Sequence, residues 1–144
     1  MSDAAAIGVK PPQRIVAVWK GGEEFDTGKP GGPVARIDGH GINGQGPVDT
    51  LLSALGTCSA MDVVGILKKQ RTPASSLEVE VIGTREDASP RRLKHALLLF
   101  RIAGSGIERE QALKAIELSV TKYCSVRDSL DPKIPVEWEL ELLK

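Results

Sequence analysis

Residues 46–69 read GPVDTLLSALGTCSAMDVVGILKK, and the fold turns on how this stretch is read. Proline is tolerated at the first position of a helix, where the amide hydrogen it lacks would have no partner. Pro47 therefore opens a helix that the spacing predicts to run to about Gln70. Asp49 falls in its first turn and Lys68 and Lys69 in its last, each complementing the partial charge of its helix end. Leu51, Leu52, Leu55, Cys58, Met61, Val63, Val64, Ile66 and Leu67 cover most of the circumference, broken only by Ser53, Thr57, Ser59 and Asp62. A helix apolar nearly all round is buried on most sides. One chain of 144 residues has difficulty surrounding it, which is a first pointer to a dimer.

Upstream, nine of the 15 glycines fall between Gly21 and Gly46, so that region reads as short strands joined by tight turns. Strands are expected over residues 14–20, near 23–26, and over 34–38, with a turn at Lys20, Gly21 and Gly22. Downstream, residues 77–82 (LEVEVI) alternate, with Leu77, Val79 and Val81 inward. Residues 93–102 (LKHALLLFRI) carry Ala96, Leu98, Phe100 and Ile102 on one face and Leu97 and Leu99 on the other, a pattern that calls for cover on both faces. A second helix is predicted from about Glu108 to Tyr123 or beyond, because Ala112, Ile116, Val120 and Cys124 recur every four residues. The last strand, residues 136–142 (VEWELEL), alternates cleanly. The order β-β-β-α-β-β-α-β gives an α+β fold: a largely antiparallel sheet, one buried helix, and a second helix over it, in a single domain spanning 1–144.

Composition narrows the function. With 19 basic and 19 acidic residues the net charge is zero, which argues against nucleic acid. Five aromatic residues are too few for base-stacking platforms. No uninterrupted apolar run approaches the ~18 residues of a membrane span. The first dozen residues lack the charged head and apolar stretch of a secretory signal, so a cytoplasmic location is expected. Two cysteines do not make a disulfide-rich scaffold.

Cys58 and Cys124 are the only strong nucleophiles. Each falls on an apolar helical stripe, where a free cysteine is ordinarily an inert core residue. If the stripes face each other, the thiols meet in a half-buried pocket. An unperturbed thiol, with a pKa near ~8.5, is only slightly ionised at neutral pH. Cys58 lies about three turns into its helix, beyond reach of that helix's own N-terminus. A cation is then expected to activate it, and Arg36, Arg127 and Arg101 are the candidates. His40 reads as exposed, His95 as a partly buried strand residue, and Glu137, Glu139 and Glu141 as a solvated face. A zinc site would want more ligands at closer spacing, so no metal is expected.

At this point residues 46–69 and 122–130 (KYCSVRDSL) together resemble the OsmC/Ohr superfamily, named for osmotic induction and organic hydroperoxide resistance. The match is to the general OsmC-like branch, and the element order agrees along essentially the whole chain. The resemblance implies an intertwined homodimer with two central helices and thiol-dependent reduction of organic hydroperoxides. Cys58 matches the peroxidatic position and Cys124 the resolving one, with sulfenic acid, disulfide and recycling by a dithiol reductant in turn. Neither metal nor flavin is implied. The chain departs from the Ohr branch in two places. Val48 stands where that branch has a glutamate, with Asp49 one residue later, and the 20–28 segment has no arginine. Nine residues from Cys58, Asp49 lies on the opposite side of an ideal helix, so a first-turn cap is its expected role. An alternative is an OsmC-like module that binds a hydrophobic small molecule with little or no peroxidase activity.

Overall fold

The computed structural model describes residues 10–144, so much of the N-terminal segment read above lies outside the described residues. The chain divides into two compact units, one through Thr50 and the other from Leu51 onward.

In the first unit, β1 (Val16–Gly21), β2 (Glu24–Gly28) and β3 (Ala35–Asp38) form an antiparallel sheet in that order. The turn after β1 has Gly21 at φ 108° and Gly22 at φ 55°, backbone conformations that glycine adopts without steric cost. Trp19 Nε1 donates to the Gly22 carbonyl across it at 2.9 Å. On β3, Arg36 sits opposite Asp26 of β2 and bonds both Asp26 (2.5 Å) and Glu24 (2.6 Å). Asp38 ends the sheet. Its buried carboxylate accepts the amides of His40, Ile42 and Asn43, and so shapes the glycine-rich loop that follows.

Helix α1 (Pro47–Lys69) ends one residue before the expected Gln70. Its most apolar 18 residues average a hydropathy of 1.6, enough by length and composition for a membrane span. Within this chain it packs on one side. Leu55, Ser59, Val63 and Leu67 form a buried stripe at steps of four, while Leu51, Met61 and Val64 stay exposed, Met61 at 73%. One chain thus buries one face of α1 and leaves the rest uncovered, the difficulty expected of a chain this size.

The second unit continues with β4 (Ser76–Arg85), β5 (Leu93–Ala103), helix α2 (Arg109–Leu118), a π-helical turn (Ser119–Tyr123), the short helix α3 (Ser125–Ser129) and β6 (Val136–Leu142). There are two three-stranded sheets rather than one, and β6 runs parallel to β5. The reason is topological: a helical crossover returns the chain to the end from which β5 set out, whereas a tight hairpin reverses it. Ala96, Leu98, Phe100 and Ile102 of β5 are fully buried, as their alternation predicts, and with Leu55, Val63, Leu67, Ala112 and Ile116 they form one core. On the outer face Leu97 and Leu99 remain half-buried. Leu99 is flanked in register by Glu80 and Glu139.

Gly56 lets α1 approach β4. A Cβ there would lie 2.7 Å from Val81 Cγ2. The close approach is to a strand; nothing lies within 4 Å of a Cβ at Gly65.

Candidate active site

Cys58 precedes the fully buried Ser59 by one residue, which at about 100° per residue turns it off the buried stripe onto the flank of α1. Its thiol is therefore part-exposed. Cys124 reaches the same place differently, and here the expected helical stripe is corrected. Regular helix stops at Leu118. The next turn widens, so that the Cys124 amide donates to the Ser119 carbonyl at 2.7 Å, five residues back. Wide turns of this kind recur at functional sites. Cys124 is itself extended and caps α3, its sulfur accepting the Arg127 amide at 3.4 Å. The widened turn keeps Val120 and Cys124 inward although they no longer share a regular helix with Ala112 and Ile116.

The two thiols lie close enough for each to shift the other's acidity, and among the described residues both cysteines are free. The residue after each thiol packs against the other thiol's segment. Cys58 Sγ lies 3.8 Å from Ser125 Oγ, and Ser59 Oγ donates to Cys124 Sγ at 3.4 Å. Ser119 Oγ ties the π turn to α1 through the Ser59 carbonyl (2.9 Å) and the Asp62 carboxylate (3.0 Å).

This geometry separates the two acidities. Burial opposes ionisation of Cys58, but the Val126 amide, the Cys124 thiol and the Ser125 hydroxyl and amide outweigh it, so the Cys58 thiol lies below its ordinary value. Burial pushes the Cys124 thiol up, and the donors from Ser59 and Arg127 offset only part of that. Cys58 is thus the thiol that ionises first.

The helix N-terminus that favours the Cys58 thiolate belongs to α3 and not to α1, which sequence spacing could not reveal. Arg127 contributes its backbone amide to Cys124, while its guanidinium donates to the carbonyls of Asp131 (3.3 Å) and Ile134 (2.9 Å). Arg101 lies on the outer sheet face with Glu78 (2.5 Å), Glu80 (2.9 Å) and Glu141 (3.4 Å). Arg36 is engaged by Asp26 and Glu24 within the first unit. Asp49 takes the capping role, accepting the Gly46 amide at 3.3 Å. His40 Nε2 faces Glu23 at 2.6 Å and His95 Nε2 faces Glu137 at 3.4 Å. Among the described residues no group of three potential ligands is placed to hold a metal. Sequence reasoning missed Ser59, Ser119 and Ser125. One signal was available: both cysteines stand in a Cys-Ser dipeptide.

Beside the pair is a pocket of about 260 Å³ whose lining includes Cys124, Arg127, Leu130, Val136 and Trp138.

Fold and site together define a small α+β protein with a coupled pair of free thiols at a helix junction. The family description "OsmC-like protein" matches residues 39–139, and the chain belongs to that family. It is 32% identical to Protein YhfA of Escherichia coli (strain K12) over 126 residues, covering 87% of this chain and 94% of YhfA. Its fold is similar to an OsmC-like protein from Mycoplasma pneumoniae (17% identity, 94% of this chain and 100% of that one, TM-score 0.80). It is also similar to the organic hydroperoxide resistance protein OhrB of Bacillus subtilis (16% identity, 90% and 98% coverage, TM-score 0.60).

Proposed function

We propose that this chain is a thiol-dependent peroxidase that reduces organic hydroperoxides through Cys58 and Cys124. One observation carries the reading: the part-exposed Cys58 thiol and the buried Cys124 thiol meet at one junction, each touched by the serine that follows the other. A thiolate attacks a peroxide oxygen directly. Cys58 Sγ takes one peroxide oxygen, the O–O bond breaks, and the alkoxide leaves as an alcohol after protonation. Cys58 is then a sulfenic acid. Attack by Cys124 forms the disulfide and releases water, and a dithiol reductant restores both thiols. OsmC-like membership and the name of the Bacillus relative support the assignment. An alkyl group buried beside the thiols would favour an alkyl peroxide over hydrogen peroxide by about 0.8 kcal/mol per CH₂.

The working form is a homodimer. The exposed Leu51, Met61 and Val64 of α1 are what a second copy would cover. The assay is consumption of cumene hydroperoxide with a dithiol present. Cys58→Ser should abolish turnover, and a fully active Cys58→Ser protein would overturn the mechanism.

The pocket beside Trp138 favours a second reading, a carrier for a hydrophobic small molecule. Native mass spectrometry should then find a co-purified ligand on a protein whose thiols do not react with peroxide.

A further inference from the structure

Resting on the thiol-pair reading above, we infer that the Cys58–Cys124 disulfide opens in one direction: the reductant attacks Cys58 Sγ, and Cys124 departs into a cradle made by the Ser59 hydroxyl and the Arg127 amide. Two independent observations point there. The first is access. Cys124 is 3% exposed, whereas Cys58 sits on the flank of α1 with its sulfur part-exposed. Thiol–disulfide exchange depends on which sulfur can be reached, because the incoming sulfur must approach from beyond the bond it breaks. The second is the pair of donors at the departing atom. Ser59 is fully buried and aims its hydroxyl at Cys124 Sγ from 3.4 Å, and the Arg127 amide does the same from 3.4 Å.

The step balances. A reductant thiolate forms a new S–S bond to Cys58 Sγ, the Cys58–Cys124 bond breaks, and its electron pair goes to Cys124 Sγ. That thiolate, disfavoured by burial, is held by the two donors until it takes a proton from water. The reductant's second thiol then attacks its own first sulfur, forms the reductant's disulfide, and frees Cys58 as the thiolate. Ser59 acts through Cys124 and is a positioning residue. It stabilises negative charge only while Cys124 carries it.

The test starts from protein oxidised with diamide, so it needs no peroxidase activity. Glutathione is added, the reaction is quenched early by denaturation in a large excess of iodoacetamide at mildly alkaline pH, and the peptides are mapped by mass spectrometry. The expected product carries glutathione on Cys58 and carbamidomethyl on Cys124. Glutathione chiefly on Cys124 would overturn the inference, and would make the pocket beside Val136 and Trp138 the entry route. Ser59→Ala should slow disulfide opening about three- to tenfold, as befits loss of one hydrogen bond to a developing charge. It should also move the alkylation pH profile of Cys124 upward. An unchanged rate and profile would remove Ser59 from the mechanism. If diamide forms no 58–124 disulfide, the thiol-pair reading fails and this inference with it. Correct mapping without peroxide consumption leaves the inference standing and sinks only the peroxidase.

Discussion

Ser59 Oγ donates to Cys124 Sγ at 3.4 Å across 65 positions of chain. Through this bond and its neighbour from Ser125 to Cys58, each Cys-Ser dipeptide reads the other, and the two thiols come to differ in acidity although both began as ordinary cysteines.

The difference is measurable as reactivity against pH. Only the thiolate alkylates, so Cys58 should react with iodoacetamide with a midpoint below the ordinary thiol value of about 8.5. Cys124 should react at higher pH and more slowly, since burial both raises its thiol and blocks the reagent. Ser125→Ala removes one contributor to the Cys58 thiolate and should move its midpoint upward. Peptide mass mapping across a pH series checks both, and coincident profiles would contradict the site geometry.

Ser119→Ala removes a buried hydroxyl that bonds the Ser59 carbonyl and Asp62. The loss should cost about 1–3 kcal/mol in urea unfolding. Asp62→Asn, which keeps an acceptor, should cost less, and equal losses would show that the Asp62 contact dominates.

Gly56→Val should be far worse tolerated than Gly65→Ala. A Cβ at Gly56 meets Val81 on β4, while the same atom at Gly65 meets nothing. Overpacking at Gly56 should cost about 1–3 kcal/mol. Gly65→Ala should be neutral or stabilising, since glycine in a helix is about 1 kcal/mol less favourable than alanine. Denaturant midpoints for the two variants give the comparison directly.

Acid should loosen the loop after β3 before the core. Amides of Asn43 and His40 hold the Asp38 carboxyl below the usual aspartate range against the opposing effect of burial, with Ile42 adding to them. A depressed folded pKa means the stabilisation is full above the unfolded value of about 3.9 and fades as pH falls through the folded one. Hydrogen exchange at the His40, Ile42 and Asn43 amides should therefore accelerate only at strongly acidic pH, and Asp38→Ala should show fast exchange there at neutral pH. Slow exchange in that variant would mean the loop is held by something else.

Periodicity in the sequence determined the elements and their inward faces. Leu55, Val63 and Leu67 on the helix and Ala96, Leu98, Phe100 and Ile102 on the strand are core because burial of apolar surface enforces a period of 3.6 or 2. The cysteine residues and the resemblance to OsmC-like proteins were equally legible. Tertiary structure alone decided the rest. The parallel pairing of β6 depends on where a crossover returns the chain, and the break at Cys124 depends on a hydrogen bond from Ser119 to α1. The source of acidity at Cys58 is the amide end of a helix distant in sequence. Local pattern encodes which face of an element avoids water. It carries no information about which backbone donors a folded chain brings to a sulfur atom, because that is fixed by contacts between residues far apart along the chain.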